Sequence, residues 1–171
     1  MTRIQSLLLV LLIPACIFGQ TPTEQQAIEN RDKYLYAVSC SQKRFTDKIP
    51  FDDYDLSQIF ITVLIQGKPY LFLYDTGAIT IISDEIREAL NLDLLYQNKM
   101  VDASNITHKE TFYKLDDLTI GTTKFKNIGV ASQNLDKFSQ KMCLQIDGIL
   151  GSNIIRTLNW KIDYKNKQLI T

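Results

Sequence analysis

A carboxylate at the end of an apolar strand is the group in this chain best suited to chemistry. Asp75 follows Leu71-Phe72-Leu73-Tyr74 and precedes Thr76-Gly77-Ala78, with Ile79, Ile81 and Ile82 beyond. Strand-forming apolar residues on both sides make it emerge from a core, not from a solvated loop. A side chain held in this way can move protons to and from water as a general acid or base. Thr76 adds a hydroxyl that could hydrogen-bond across the site, and Gly77 allows a tight turn that a Cβ would obstruct. Alone, Asp75-Thr76-Gly77 also suits an ordinary surface turn, because all three types favour turns. A second segment, Asp147-Gly148-Ile149-Leu150-Gly151-Ser152-Asn153, shifts the balance. It offers an apolar run closed by glycine, and the alternating stretch Trp160-Lys161-Ile162-Asp163-Tyr164 follows it.

Other chemistries find little support. His108 is the only histidine and sits in a polar run, where a solvated loop residue is expected. Of three cysteines, Cys16 lies near the N-terminus, which leaves Cys40 and Cys143. In an oxidising compartment these two could form a disulfide, or both could be buried free thiols. No Cys-x-x-Cys spacing occurs, so no structural zinc site is expected. Nineteen basic and nineteen acidic residues leave net charge zero, so there is no electrostatic footprint for nucleic acid.

The elements that must position Asp75 read as short strands. Ile59 to Ile65 is rich in β-branched residues and stops at Gln66-Gly67-Lys68-Pro69. Tyr70 to Tyr74 returns as the second strand of a hairpin delivering Asp75 at its end. Strand character resumes at Ile79 to Ile82. Ser83 then suits a helix N-cap, with Asp84 and Glu85 in the first turn and Ile86, Ala89 and Leu90 on one buried face. Met100–Ala103, Thr111–Leu115, Leu118–Ile120 and Ile128–Val130 continue as strands. One or two helical turns are expected at Ile154, Ile155 and Leu158, and a last strand at Gln168 to Ile170.

The N-terminus differs in kind. Arg3, the uncharged run Leu7 to Ile13, and the small or helix-breaking Pro14, Ala15, Cys16 and Gly19 have the layout of a secretory signal peptide over residues 1–19. The run is too short to span a bilayer comfortably, although an uncleaved anchor is the alternative. Ile13-Pro14-Ala15-Cys16 also resembles a bacterial lipobox, and a membrane tether would follow only if Cys16 were lipidated. The expected location is therefore the periplasm, the outside, or the cell envelope. Residues 20–48 read as a polar extension or linker with a modest helix through Ala27, Ile28, Tyr34, Leu35 and Val38, or as a removable pro-segment. Residues 49–171 form the main domain.

From about Pro50 onward, the Asp75-Thr76-Gly77-Ala78 and Ile149-Leu150-Gly151 pair resembles the retropepsin-like aspartic proteases, in an exported bacterial form. These are single-lobed relatives of pepsin. The resemblance implies an all-β, closed β-barrel lobe of the acid protease fold with one or two short helices. It implies an aspartic endopeptidase in which Asp75 is catalytic and Thr76, Gly77 and Ala78 complete its loop. Ile149, Leu150 and Gly151 would pass behind that loop as its support. Two carboxyls about 3 Å apart cannot both ionise cheaply, so one takes a proton from the attacking water and the other donates to the carbonyl. No cofactor is implied, and the partner is a peptide or protein substrate.

No second Asp-Thr-Gly or Asp-Ser-Gly exists in the chain, so the other carboxylate must come from a homodimer or a second lobe. By the same resemblance Asp147 belongs to the scaffold or the pocket rim, as a turn residue, and Ser104, Asn105, Ile106 and Thr107 occupy the position of a flap over substrate. Asn105-Ile106-Thr107 is also a glycosylation sequon. The competing reading is a non-catalytic single-lobe module that binds peptides, or one lobe of a longer two-lobed protease.

Overall fold

The computed structural model describes residues 23–41, 46–54, 57–101 and 107–171. Helix α1 (Glu24–Arg31) runs into a π-helical turn (Asp32–Tyr36), and strands β1 (Ser39–Cys40) and β2 (Lys48–Pro50) follow. The central part comprises β3 (Phe60–Ile65), β4 (Lys68–Tyr74), β5 (Ile81–Ser83), α2 (Asp84–Leu90), β6 (Leu94–Val101), β7 (Thr107–Ile120) and β8 (Thr123–Gln133). The chain ends with α3 (Asp136–Met142), β9 (Gly148–Leu150), α4 (Ser152–Ile155), β10 (Lys161–Asp163) and β11 (Gln168–Ile170).

Six strands close on themselves in the order β8-β5-β9-β4-β3-β7, because β7 also pairs with β8. β1 adds to β8 and β6 adds to β7, while β10, β11 and β2 make a separate three-stranded sheet. The closed, mostly β barrel is the architecture expected for a retropepsin-like lobe. Closure leaves no barrel edge and gives the side chains one shared interior. Phe72, Ile82, Leu150, Val63, Leu118, Ile120, Phe125 and Ile128 fill it, all essentially without exposure.

The β3–β4 hairpin pairs Phe60 with Leu73 through to Ile65 with Lys68. Its turn residues Gln66 and Gly67 both have positive φ, 51° and 78°, as a two-residue hairpin turn requires. Ser83 caps α2 as expected, its side chain accepting from the Ile86 amide at 3.3 Å, and Ile86 is buried. The expected Thr111–Leu115 and Leu118–Ile120 strands are one element, β7. Asp116-Asp117 does not break it, because these carboxylates reach outward to Lys114 and Lys124 at 2.7 and 2.9 Å. Opposite Asp116, Asn127 takes φ 59°, a local kink in a hairpin otherwise paired throughout. Helix α3 and the first half of β6 were not anticipated.

Two expectations are corrected. Residues 23–41 are not a solvated spacer. Tyr34 and Leu35 are buried with Phe112, Leu95 and Tyr96, Asn30 donates to the Leu95 carbonyl at 2.9 Å, and β1 pairs with β8. Apolar side chains at helical spacing have a face of the barrel to cover. The disulfide is absent, since Cys40 and Cys143 are both free. Cys40 is half-buried on β1 opposite Phe125, whereas Cys143 is the exposed left-handed cap of α3, whose apolar residues pack on a different cluster.

The Cys16 lipidation and signal-peptide readings lie outside the described residues, as do Ser104, Asn105 and Ile106. Among the described residues, no helix is long and apolar enough to cross a membrane.

Candidate active site

Asp75 stands where β4 leaves the barrel. β9 runs parallel to β4, pairing Leu73 with Ile149 and Tyr74 with Leu150, and antiparallel to β5, pairing Ile81 with Ile149. The Ile149-Leu150-Gly151 segment is thus threaded between the strands that enter and leave the Asp75 loop. The Asp75 amide donates to the Leu150 carbonyl at 3.0 Å, which fixes the Cα from behind. Its carboxylate Oδ1 accepts from the Gly77 amide at 2.8 Å, which orients the side chain within its own turn. Ala78 offers its carbonyl to both the amide and the hydroxyl of Ser152, at 2.7 and 2.9 Å. The loop is therefore pinned at its start and its end, while Thr76 and Gly77 between these anchors are exposed.

Gly151 is required by contact. A Cβ there would lie 2.0 Å from the Ile79 carbonyl carbon and 2.3 Å from the Thr80 nitrogen. Both are backbone atoms that cannot rotate away.

Beneath the loop lies a buried polar knot that sequence reasoning missed. Asn153 Oδ1 accepts from the Thr80 amide at 2.9 Å and from its hydroxyl at 2.7 Å. The Thr80 hydroxyl accepts from the Gly151 amide at 3.1 Å, and Asn153 Nδ2 donates to the Gly129 carbonyl at 3.0 Å. Thr80 and Asn153 are both buried, so these bonds form in a low dielectric and hold three segments together. A polar residue inside Ile79–Ile82 was the available signal. Asp147 has the scaffold geometry expected of it. Its Oδ2 accepts from the Leu71 amide at 2.8 Å, and its backbone bonds to Leu71 and Ser83.

Beside Asp75 opens a groove of about 350 Å³. Its walls include Gln58, Ile59, Leu73, Tyr74, Ile162 and Tyr164. Tyr74 packs edge-on against Trp160 with ring centres 5.8 Å apart, and burial pushes its phenol pKa upward. Thr107 opens β7 opposite Val101 in the backbone register, at the base of the expected flap. Among the described residues no cluster of three or more metal-ligating side chains occurs.

The sequence model described as "Aspartyl protease" matches residues 61–154, more than half of the 171-residue chain. No curated protein matches the chain by sequence. Among solved structures, the chain is similar to a retropepsin-like aspartic protease from Rickettsia conorii. That likeness has a TM-score of 0.53 at 20% identity, over 78% of this chain and 91% of that one. The retroviral protease-like domain of Ddi1 from Leishmania major superposes with a TM-score of 0.44 at 14% identity, over 66% and 86%. At 20% identity the first likeness speaks to the fold, and it agrees with the six-stranded barrel.

Proposed function

The chain belongs to the aspartyl protease family, and from that premise we propose that it hydrolyses peptide bonds with a carboxylate pair formed by Asp75 and Asp75 of a second copy. The observation that carries this reading is the seating of Asp75. It is anchored through its amide to Leu150, braced by Gly77, half-buried and open to a groove. One carboxylate, ionised, takes a proton from water as the oxygen adds to the scissile carbonyl carbon. The other, protonated, donates to the carbonyl oxygen. Collapse of the resulting diol breaks the C–N bond, and a proton passes to the leaving nitrogen. The pair shares one proton and titrates as a unit. Water is the nucleophile, so no covalent intermediate forms.

A two-fold axis beside Asp75 would bring the exposed Thr76 of each copy to the other, with isologous contacts. The uncharged run Leu7 to Ile13 supports an exported protein, which the N-terminal sequence of the mature form would test. The activity is tested by digesting a peptide library with the full chain and with Asp75→Asn, alongside a solution mass for each. Wild type is expected to cleave as a dimer, and Asp75→Asn to lose roughly 10³-fold or more. Cleavage that survives Asp75→Asn, or that comes from a strict monomer, removes the mechanism.

A further inference from the structure

The β6–β7 hairpin runs past the barrel on two strands. The ladder between β7 and β8 begins at Phe112, and β3 meets β7 at Leu64 and Thr119. From Gln97–Thr111 out to Val101–Thr107, five residue pairs therefore have no third strand beside them among the described residues. A two-stranded ribbon is marginal by itself, so its direction depends on how its root is held. That root is irregular. Leu94 pairs with Tyr113 and Tyr96 with Phe112, which makes Leu95 the extra residue of a bulge. A bulge bends its strand and re-aims what lies beyond it.

The N-terminal segment grips that bulge. Asn30, in the last turn of α1, donates to the Leu95 carbonyl at 2.9 Å, and the Leu95 side chain is buried in one cluster with Tyr34 and Leu35. The next pair of the hairpin, Tyr96 and Phe112, stacks in the same cluster with ring centres 4.6 Å apart. At its far end the segment is fastened elsewhere. Arg156 donates to the Leu35 carbonyl and lays its guanidinium over the Tyr36 ring at 4.7 Å, and β1 pairs with β8. Between these anchors it lies directly on β8, where a Cβ at Gly129 would come 3.2 Å from both Tyr34 and Leu35. One feature weakens this contact relative to the barrel interior: the Tyr96 hydroxyl is buried without a partner among the described residues.

We propose that residues 24–36 are a strap that sets the angle of the β6–β7 ribbon by gripping it at the Leu95 bulge, so that the ribbon swings only when the strap lifts from β8. The strap and the ribbon then form one local unit that opens without the barrel. Displacing the N-terminal segment would move the ribbon and leave the Asp75 loop, held by β9, as it is. The inference goes beyond the hydrolytic reading and does not depend on it.

Amide hydrogen exchange of the full chain, read segment by segment with mass spectrometry, tests it. In wild type the strap and residues 94–101 should show protection equal within about threefold, and at least about tenfold below that of β4 and β9. Arg156→Met removes the far anchor and keeps an apolar stem. Among the described residues Arg156 bonds to Leu35, Tyr36 and, through its amide, Ser152, none of them in the hairpin. Protection should nevertheless fall about tenfold in the strap and by the same factor in the ribbon, with β4 and β9 unchanged. Asn30→Leu cuts the grip on the bulge and should lower ribbon protection by about tenfold as well.

A ribbon whose protection is unchanged in Arg156→Met or in Asn30→Leu overturns the inference, because strap and ribbon are then not coupled. So does an Arg156→Met strap as protected as in wild type, since the far anchor then holds nothing. An equal fall in β4 and β9 makes the strap part of the barrel's own unit, which also overturns it. Should Arg156→Met fail to fold, wild type and Asn30→Leu decide: a wild-type ribbon exchanging far faster than the strap defeats the proposal. None of these outcomes bears on peptide cleavage by Asp75, which the Asp75→Asn comparison tests separately.

Discussion

Replacing Asn153 with alanine should cost this protein more than most core truncations of its size. Asn153 makes three hydrogen bonds, two from Thr80 and one to the Gly129 carbonyl, at 2.7–3.0 Å and out of contact with solvent. The variant strands the amide and hydroxyl donors of Thr80, which is fully buried. At about 1–3 kcal/mol for each buried group left unmade, two donors amount to about 2–6 kcal/mol, and we expect a value near 4. Set against a typical domain stability of about 5–15 kcal/mol, that is a severe loss. Urea unfolding followed by circular dichroism measures it through the midpoint at constant slope.

Thr80→Val removes the hydroxyl at nearly the same volume. In a double-mutant cycle with Asn153→Ala, the pair should couple by roughly 1–2 kcal/mol, because the two side chains share a bond. A loss below about 1 kcal/mol, or strict additivity, would mean that water replaces the amide at no cost. The knot would then not be what holds the Asp75 loop to the barrel.

Gly151→Ala should be worse tolerated still. Its Cβ would meet Ile79 and Thr80 backbone at 2.0–2.5 Å, so we expect at least about 3 kcal/mol of destabilisation or no soluble protein. A stable alanine variant, read by thermal unfolding, would refute the close crossing. Tyr96→Phe should be neutral, or stabilising by up to about 1 kcal/mol, because the Tyr96 hydroxyl is buried without a partner among the described residues. Burial pushes the Tyr96 phenol pKa up, so its contribution to stability is present below the unfolded pKa near 10 and lost as pH rises beyond it. Urea midpoints at about pH 8 and about pH 11 should therefore fall less in Tyr96→Phe than in wild type. An equal fall would contradict the burial.

Much of the site was legible because it is local. The β3–β4 hairpin, with Asp75 at its end, follows from β-branched runs around Gln66-Gly67, and the α2 cap follows from Ser83 and its acidic first turn. Less local features were misread. A polar N-terminal segment looked solvated because two of its apolar residues, Tyr34 and Leu35, are buried only against a barrel built elsewhere in the chain. The carboxylates of Asp116-Asp117 resembled a break in a strand that is continuous, since each faces outward to a lysine.

By itself the order of residues determined that an acid would stand at a strand end, and that an apolar run closed by glycine would come later in the chain. Only the folded barrel decided that this run passes between β4 and β5. The same folding gave Gly151 no room for a Cβ and made Thr80 and Asn153 partners across seventy-three positions. The physical reason is range. Propensity and turn chemistry act over a few neighbours, whereas closure of the sheet and satisfaction of a buried amide depend on which distant segments share one interior.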